Sequence, residues 1–223
     1  GGGNITLVTG GELTVDQSIS GSSVTLEVVD TVAAGEDLTL NAGITSTGAG
    51  VTLRVGDNLN LSTGITVDAA AALQIAIDYL DADVGTGGVA NLFGTLIAGT
   101  NITVTGFNDA DTVNIDDNGG TASDGGTVDG IQDAFTFNGG GGLDNLILDE
   151  TGDMSGDTIS ISHTGAGTGV VSGAGLAGLG FNFAGGPAAI TLNTGTDADD
   201  ISVELGDGSP DVNITSAGGT DSL

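Results

Sequence analysis

Apolar and polar residues alternate along this chain in short runs. In Val51-Thr52-Leu53-Arg54-Val55 the apolar side chains fall on one face and Thr52 and Arg54 on the other, the period-two signature of a half-buried strand. The same pattern predicts strands over Ile5–Val8, Leu13–Val15, Val24–Val29, Leu38–Leu40, Leu59–Leu61, Ile65–Val67 and Leu73–Ile77. Gly, Asn, Asp, Ser and Thr fill the gaps, as turns require. One segment is ambiguous: Asp68-Ala69-Ala70-Ala71-Ala72-Leu73 has helix-forming composition, yet it reads best as a turn feeding the strand that starts at Leu73.

Strand starts recur every ~8–14 residues, a spacing that antiparallel sandwiches share. Two features favour an all-β parallel β-solenoid, a right-handed β-helix. Short phrases return at uneven intervals, as in Asn4-Ile5-Thr6, Asn101-Ile102-Thr103 and Asn213-Ile214-Thr215, which suits coils separated by variable loops. Hydrophobic residues make up 38 % of the chain but aromatics only 3 %, so the core material is Val, Ile, Leu and Ala, which fit a narrow interior. Coils of ~20–25 residues would give about ten, stacked at ~4.8 Å into a rod near ~50 Å. Thr103 and Thr105 do not recur at a fixed interval, so no ordered threonine face is expected.

Composition narrows the class. The 43 glycines follow no period of three and only 2 prolines accompany them, which excludes collagen. The β-branched apolar content argues against disorder. Thirty acidic residues face a single Arg54 and no lysine, for a net charge of −29. Nucleic acid and anionic membrane surfaces need cationic side chains, so neither is an expected partner; divalent cations are. There is no cysteine for a disulfide or thiolate site, and no apolar run of membrane-spanning length. The opening Gly1-Gly2-Gly3-Asn4 carries no signal peptide, and both ends read as cut from something longer.

The organisation expected is a solenoid over residues 1–117, a Gly-rich loop over 118–130, and an Asp-rich solenoid over 131–223 continuous with the first. Up to about residue 105 the phrases Gly35-Glu36-Asp37-Leu38-Thr39-Leu40-Asn41-Ala42-Gly43 and Val55-Gly56-Asp57-Asn58-Leu59-Asn60-Leu61-Ser62-Thr63-Gly64 resemble the repeats of filamentous-haemagglutinin-type and other giant bacterial surface adhesins. That resemblance implies rungs of a right-handed parallel β-helix, at the cell surface or outside the cell. In the second half, Asp111-Thr112-Val113-Asn114-Ile115, Asp144-Asn145-Leu146-Ile147-Leu148, Asp157-Thr158-Ile159-Ser160-Ile161, Asp200-Ile201-Ser202-Val203 and Asp211-Val212-Asn213-Ile214 share one plan, an aspartate leading a turn into a strand. These phrases resemble the RTX-like repeats of secreted bacterial proteins.

Two patterns point to calcium. Gly139-Gly140-Gly141-Gly142-Leu143-Asp144-Asn145-Leu146-Ile147 fits the nonapeptide G-G-x-G-x-D-x-U-x at every fixed position; glycines turn the backbone and Asp144 offers a hard oxygen. Its successor, Thr151–Ile159 with Asp157, is a degraded copy. The second pattern is Asp-Ala-Asp, at Asp81-Ala82-Asp83, Asp109-Ala110-Asp111 and Asp197-Ala198-Asp199, the last extended by Asp200. Carboxylates two residues apart in a turn can converge on one ion. The candidate ligands are therefore Asp144, Asp157, Asp109, Asp111, Asp197, Asp199 and Asp200. Against this stands the plain preference of aspartate for turns and strand edges.

No catalytic residues are assigned. Glycosidic hydrolysis needs paired carboxylates, which are plentiful, but a carbohydrate cleft wants an aromatic floor, and Tyr79 and the six phenylalanines are scattered. His163 stands alone, and Arg54 is expected to face outward beside carboxylates. The sequons at Asn4, Asn60, Asn101 and Asn213 fit both glycosylation and the repeat itself. The expected function is structural and non-enzymatic: an adhesin shaft, extracellular fibre or surface-layer segment. Its partners would be copies of itself, neighbouring repeats of its parent chain, divalent cations, and surface glycans or host ligands. The alternatives are a calcium-dependent RTX-like secreted binding module and a carbohydrate-active β-helix.

Overall fold

The computed structural model describes residues 2–119, 125–183 and 188–223. Among them the chain is all-β, with no helix, and coils as a parallel β-solenoid. Each of the first four coils lays one strand on each of three sheets. The first holds β1 (Ile5–Thr9), β2 (Leu13–Val15) and β3 (Ile19–Gly21); the second β4 (Val24–Val28), β5 (Leu38–Leu40) and β6 (Ile44–Ser46). The third holds β7 (Val51–Val55), β8 (Leu59–Leu61) and β9 (Thr66–Ala69); the fourth β10 (Leu73–Ala76), β11 (Val89–Leu92) and β12 (Thr95–Ala98). Corresponding strands pair in parallel, so the polyalanine stretch is a turn between β9 and β10 and not a helix.

Beyond the fourth coil the third sheet ends, with only a bridge from Leu96 to Ile131. The other two sheets run on through β13 (Ile102–Thr105), β14 (Thr112–Ile115), β15 (Phe135–Asn138) and β16 (Asp144–Glu150). β13 pairs with β15 and β14 with β16, so the ladders continue across the Gly-rich stretch, part of which (120–124) lies outside the described residues. The last strands are β17 (Thr158–Gly165), β18 (Thr168–Gly173), β19 (Leu176–Asn182), β20 (Ala188–Thr194), β21 (Asp200–Glu204) and β22 (Asp211–Ser216).

Coil length departs from expectation. The register partners Ile5, Val24, Val51, Leu73, Ile102 and Phe135 are 19, 27, 22, 29 and 33 residues apart. The turns absorb the difference, and the second sheet reaches eight strands, not ten. Near the end the parallel pattern also breaks. β18 runs antiparallel between β17 and β19, while β19 returns beside β15. The cause is local: Ala174 (φ 51°) and Gly175 (φ 73°) join β18 to β19 in a two-residue turn with both φ positive, the hairpin geometry that reverses a strand.

The interior is a set of columns. On the first sheet Leu26, Leu53, Ile75, Val104, Phe137 and Phe181 stack in register, beside Val24, Val51, Leu73, Ile102, Phe135 and Leu179. The second sheet contributes Leu38, Leu59, Ala90, Val113, Leu146 and Ile190, and Leu40, Leu61, Leu92, Ile115, Leu148 and Leu192. All of these are buried, and they form one core. The outward rows are polar and also in register. Asn91 donates to Asn60 at 2.8 Å and Asn114 to Asn91 at 2.7 Å. Thr6, Thr25, Thr52, Thr103 and Thr136 do line up, interrupted only by Gln74, because register aligns what uneven spacing hides. Arg54 faces outward, 2.9 Å from Glu27 and 5.1 Å from the Tyr79 ring centre.

A column member touches equivalents above and below, so its loss opens a cavity that the stacked coils cannot close. Leu53→Ala should destabilise the fold by about 2–5 kcal/mol, whereas Thr52→Ala on the outer face should cost less than about 1 kcal/mol. Urea titrations followed by circular dichroism compare them; equal losses would contradict the column picture.

Candidate metal centre

The turns that join the first sheet to the second fall at one corner of the solenoid, one above another: residues 29–37, 56–58, 77–88, 106–111 and 139–143. Every coil from the second to the sixth places acid in this turn or, as with Asp144, on the first strand residue after it. Asp30, Glu36, Asp57, Asp78, Asp111 and Asp144 are all buried.

Some of these carboxylates cap the backbone of the coil before. Asp57 Oδ2 accepts the N–H of Gly35 (2.5 Å) and Glu36 (3.0 Å). Asp111 accepts the N–H of Gly88 (2.8 Å) and of Phe107 in its own turn (2.9 Å), and Asp144 accepts the N–H of Asp111 (3.1 Å). Glycine makes room for them: a Cβ on Gly106 would lie 2.0 Å from Asp111 Oδ2, and one on Gly139 2.1 Å from Asp144 Oδ2. Gly139 of the nonapeptide thus seats a capping aspartate, while Gly140 and Gly142 let the turn approach the backbone of Phe107 and Asp109 in the coil before.

Other carboxylate oxygens converge on each other. Asp30, Asp57 and Asp83 form one group, and Asp78, Asp81 and Asp109 a second; in each, one oxygen per residue lies within 4.8 Å of the others. Asp78 is fully buried, and neither of its oxygens has a hydrogen-bond partner among the described residues; the same holds for Oδ1 of Asp30, Asp57, Asp81 and Asp83. Asp78 (φ 53°), Leu80 (φ 90°) and Asp81 (φ 50°) also hold left-handed backbone conformations, which L-residues adopt at a cost.

A third group lies at the end of strand β16 and in the turn after it. Glu150, Asp153 and Asp157 converge within the same 4.8 Å limit. Glu150 is buried and accepts the N–H of Val128, and the N–H of Asp157 donates to Asp199 at 3.0 Å. These three groups are chemically able to hold a metal ion, since hard divalent cations take carboxylate oxygens.

Burial sets the electrostatics. Desolvation pushes Asp78 up to about 8, with Asp111, Asp81, Asp109 and Asp30 adding repulsion. Burial raises Asp111 to about 7 against the pull of its two backbone donors, Asp144 to about 6 and Glu150 to about 8. Asp157 rises to about 6 through burial and then through Asp153. Asp30 is raised by burial as well.

Of the residues singled out in the sequence, Asp109 and Asp157 belong to converging groups, while Asp111 and Asp144 serve as caps. Asp199 is buried and binds the Asp157 N–H, Asp197 has a buried oxygen with no hydrogen-bond partner among the described residues, and Asp200 is exposed and accepts from Ser222. The two acids of one Asp-Ala-Asp do not converge: Asp81 and Asp83 enter different groups, because Ala82 between them donates its N–H to Asp30 two coils back. In the first two groups convergence runs between coils, whereas Glu150, Asp153 and Asp157 come from one turn and the strand end before it. Asp30, Asp57 and Asp78 escaped sequence reasoning because they stand in dissimilar turns, and Glu150 and Asp153 because they stand outside the aspartate-led strand phrases, though at the same turn as Asp157. The one legible signal was acid in, or directly after, the turns leading to the second sheet.

No family model, no curated protein and no solved structure matches this chain.

The raised carboxyls make a signed prediction for the metal-free protein. The folded state holds protons that the unfolded chain has released above the ordinary carboxyl range near pH 4. Their contribution is complete below that range and is lost as pH rises through about 6 for Asp144 and Asp157, about 7 for Asp111 and about 8 for Asp78 and Glu150. Thermal melting in chelator should therefore give a lower Tm at pH 8.5 than at pH 5.5; an equal or higher value would show that these groups do not ionise late.

Proposed function

We propose that this chain is a structural, non-enzymatic segment of a large secreted bacterial surface protein, a shaft, fibre or surface-layer element, whose acidic corners take calcium. The observation that carries this reading is the unbroken stack: eight parallel strands on the second sheet, with aliphatic columns inside and polar rows outside. Such a body gains rigidity with every added coil and exposes backbone edges only at its ends. The resemblance of its first hundred residues to filamentous-haemagglutinin-type repeats supports an extracellular setting, as does the near absence of cationic side chains. Neighbouring repeats of the parent chain or further copies are the natural cover for the end strands β1 and β22. Surface glycans or host-cell ligands are the targets expected of an adhesin shaft.

Calcium follows from the chemistry. Extracellular fluid supplies it, the donors are all oxygen, and a net charge of −29 opposes compaction unless cations offset it. The buried carboxylate of Asp78 also supports a stronger version, in which calcium switches on folding after secretion as in RTX-like modules.

Calcium that binds only the folded state stabilises it by about 2.7 kcal/mol per site at a hundredfold excess over Kd. The Tm at pH 7.5 should therefore rise from chelator to millimolar calcium, and a coil-to-β transition on titration would favour the switch. An unchanged Tm would remove calcium from the proposal. The shaft reading is tested separately: antibody against this chain should label intact, unpermeabilised cells, and labelling confined to the cell interior would overturn it.

A further inference from the structure

Resting on the reading that the acidic corner takes divalent cations, we propose that the turn 77–88 is a two-ion clasp. It supplies Asp83 to one cation shared with Asp30 and Asp57, and Asp78 and Asp81 to a second shared with Asp109, stapling four consecutive coils. The ligand class is a hard divalent cation of calcium size.

The distances fit. Calcium binds oxygen at about 2.3–2.6 Å, so ligands on opposite sides of one ion stand no more than about 5 Å apart. Both trios hold one oxygen per residue within 4.8 Å. Convergence of acids alone proves little, since turns collect aspartate. The second observation is what the carboxylates lack. Asp78 has no exposed surface, and neither of its oxygens has a hydrogen-bond partner among the described residues; Asp30 and Asp57, of the first trio, are 6 % and 5 % exposed, and the Oδ1 of each is likewise buried without a partner among those residues. Leaving a buried anion without a donor is among the costliest arrangements in a protein. No side-chain cation offsets it: the chain has no lysine, and Arg54 is engaged with Glu27 and Tyr79 on the outer face.

The turn is built to reach both ways. It has twelve residues where the coil before uses three, 56–58. Toward the earlier coils, the Ala82 N–H meets Asp30; toward the later one, the Gly85 N–H meets Asp109 at 2.5 Å and Asp81 accepts Asn108 at 2.6 Å. Asp30, Asp57, the turn itself and Asp109 belong to the second, third, fourth and fifth coils. Two dications offset most of the six carboxylate charges and leave neither site positive.

The chain carries its own probe. Tyr79, between Asp78 and Leu80, is the only tyrosine, and there is no tryptophan. Terbium, a calcium surrogate, should show tyrosine-sensitised luminescence that calcium displaces. Asp81→Asn and Asp83→Asn alter partly exposed residues two positions apart, yet each should remove a different ion. Native mass spectrometry should count one calcium fewer in each variant and two fewer in the double variant. D81N should lose most of the Tyr79-sensitised emission. An Asp207→Asn variant, altering an exposed residue outside all three groups, should leave the emission unchanged. In the wild type, calcium should slow chymotrypsin cleavage after Tyr79 and Leu80 by at least about tenfold, and both single variants should lose part of that protection. Circular dichroism spectra matching the wild type establish that the variants fold.

Wild type that binds no calcium and sensitises no terbium at pH 7.5 would overturn both this proposal and the calcium reading. Wild type that binds calcium, with D81N and D83N keeping full stoichiometry and emission, would overturn the clasp alone. Loss of the same single ion in both variants would overturn the two-site assignment.

Discussion

In a parallel solenoid every side chain sits directly beneath its counterpart one coil on, about 4.8 Å away. That repetition is the constraint from which the rest of this molecule follows. It is favourable for Leu53 between Leu26 and Ile75, where each residue buries its neighbours. It is favourable for Asn60, Asn91 and Asn114, whose amides each donate to the next carbonyl. For aspartate the same geometry brings like charges together in a corner that excludes water.

The chain meets that conflict in two ways. Where a carboxylate reaches backbone N–H groups of the neighbouring coil, as at Asp57, Asp111 and Asp144, the anion becomes a cap, and glycines at positions such as Gly106 and Gly139 make space for it. Where no described residue offers a donor, as at Asp78, burial and repulsion hold the proton to about pH 8. A proton and a divalent cation are then alternative ways of neutralising one site, which links the pH response of the metal-free chain to its affinity for metal.

The fold tolerates wide variation in turn length because stacking is enforced in the sheets. Coils lengthen from 19 to 33 residues while the registers of the first and second sheets hold. The added residues go to the corners, where the 77–88 turn has the length to touch coils on both sides. Among the described residues the parallel rule is broken at β18 alone, which turns back after β17 through Gly167 (φ 68°) and reverses again into β19 through Ala174 and Gly175, both with positive φ.

Local alternation was enough to place most strands of the first hundred residues and the identity of the core columns, since burial of one strand face is written into every second residue. The acidic surplus and the turn glycines were equally legible. Tertiary structure alone decided which residues share a level, because coil length varies and sequence spacing carries no register; it aligned the threonine row that uneven intervals concealed. It also separated Asp81 from Asp83, adjacent in the Asp-Ala-Asp motif, and joined Asp30, Asp57 and Asp83 across more than fifty residues. A ligand set drawn from stacked turns exists only once the coils are wound, since each coil contributes one or two oxygens and no single turn contains the site.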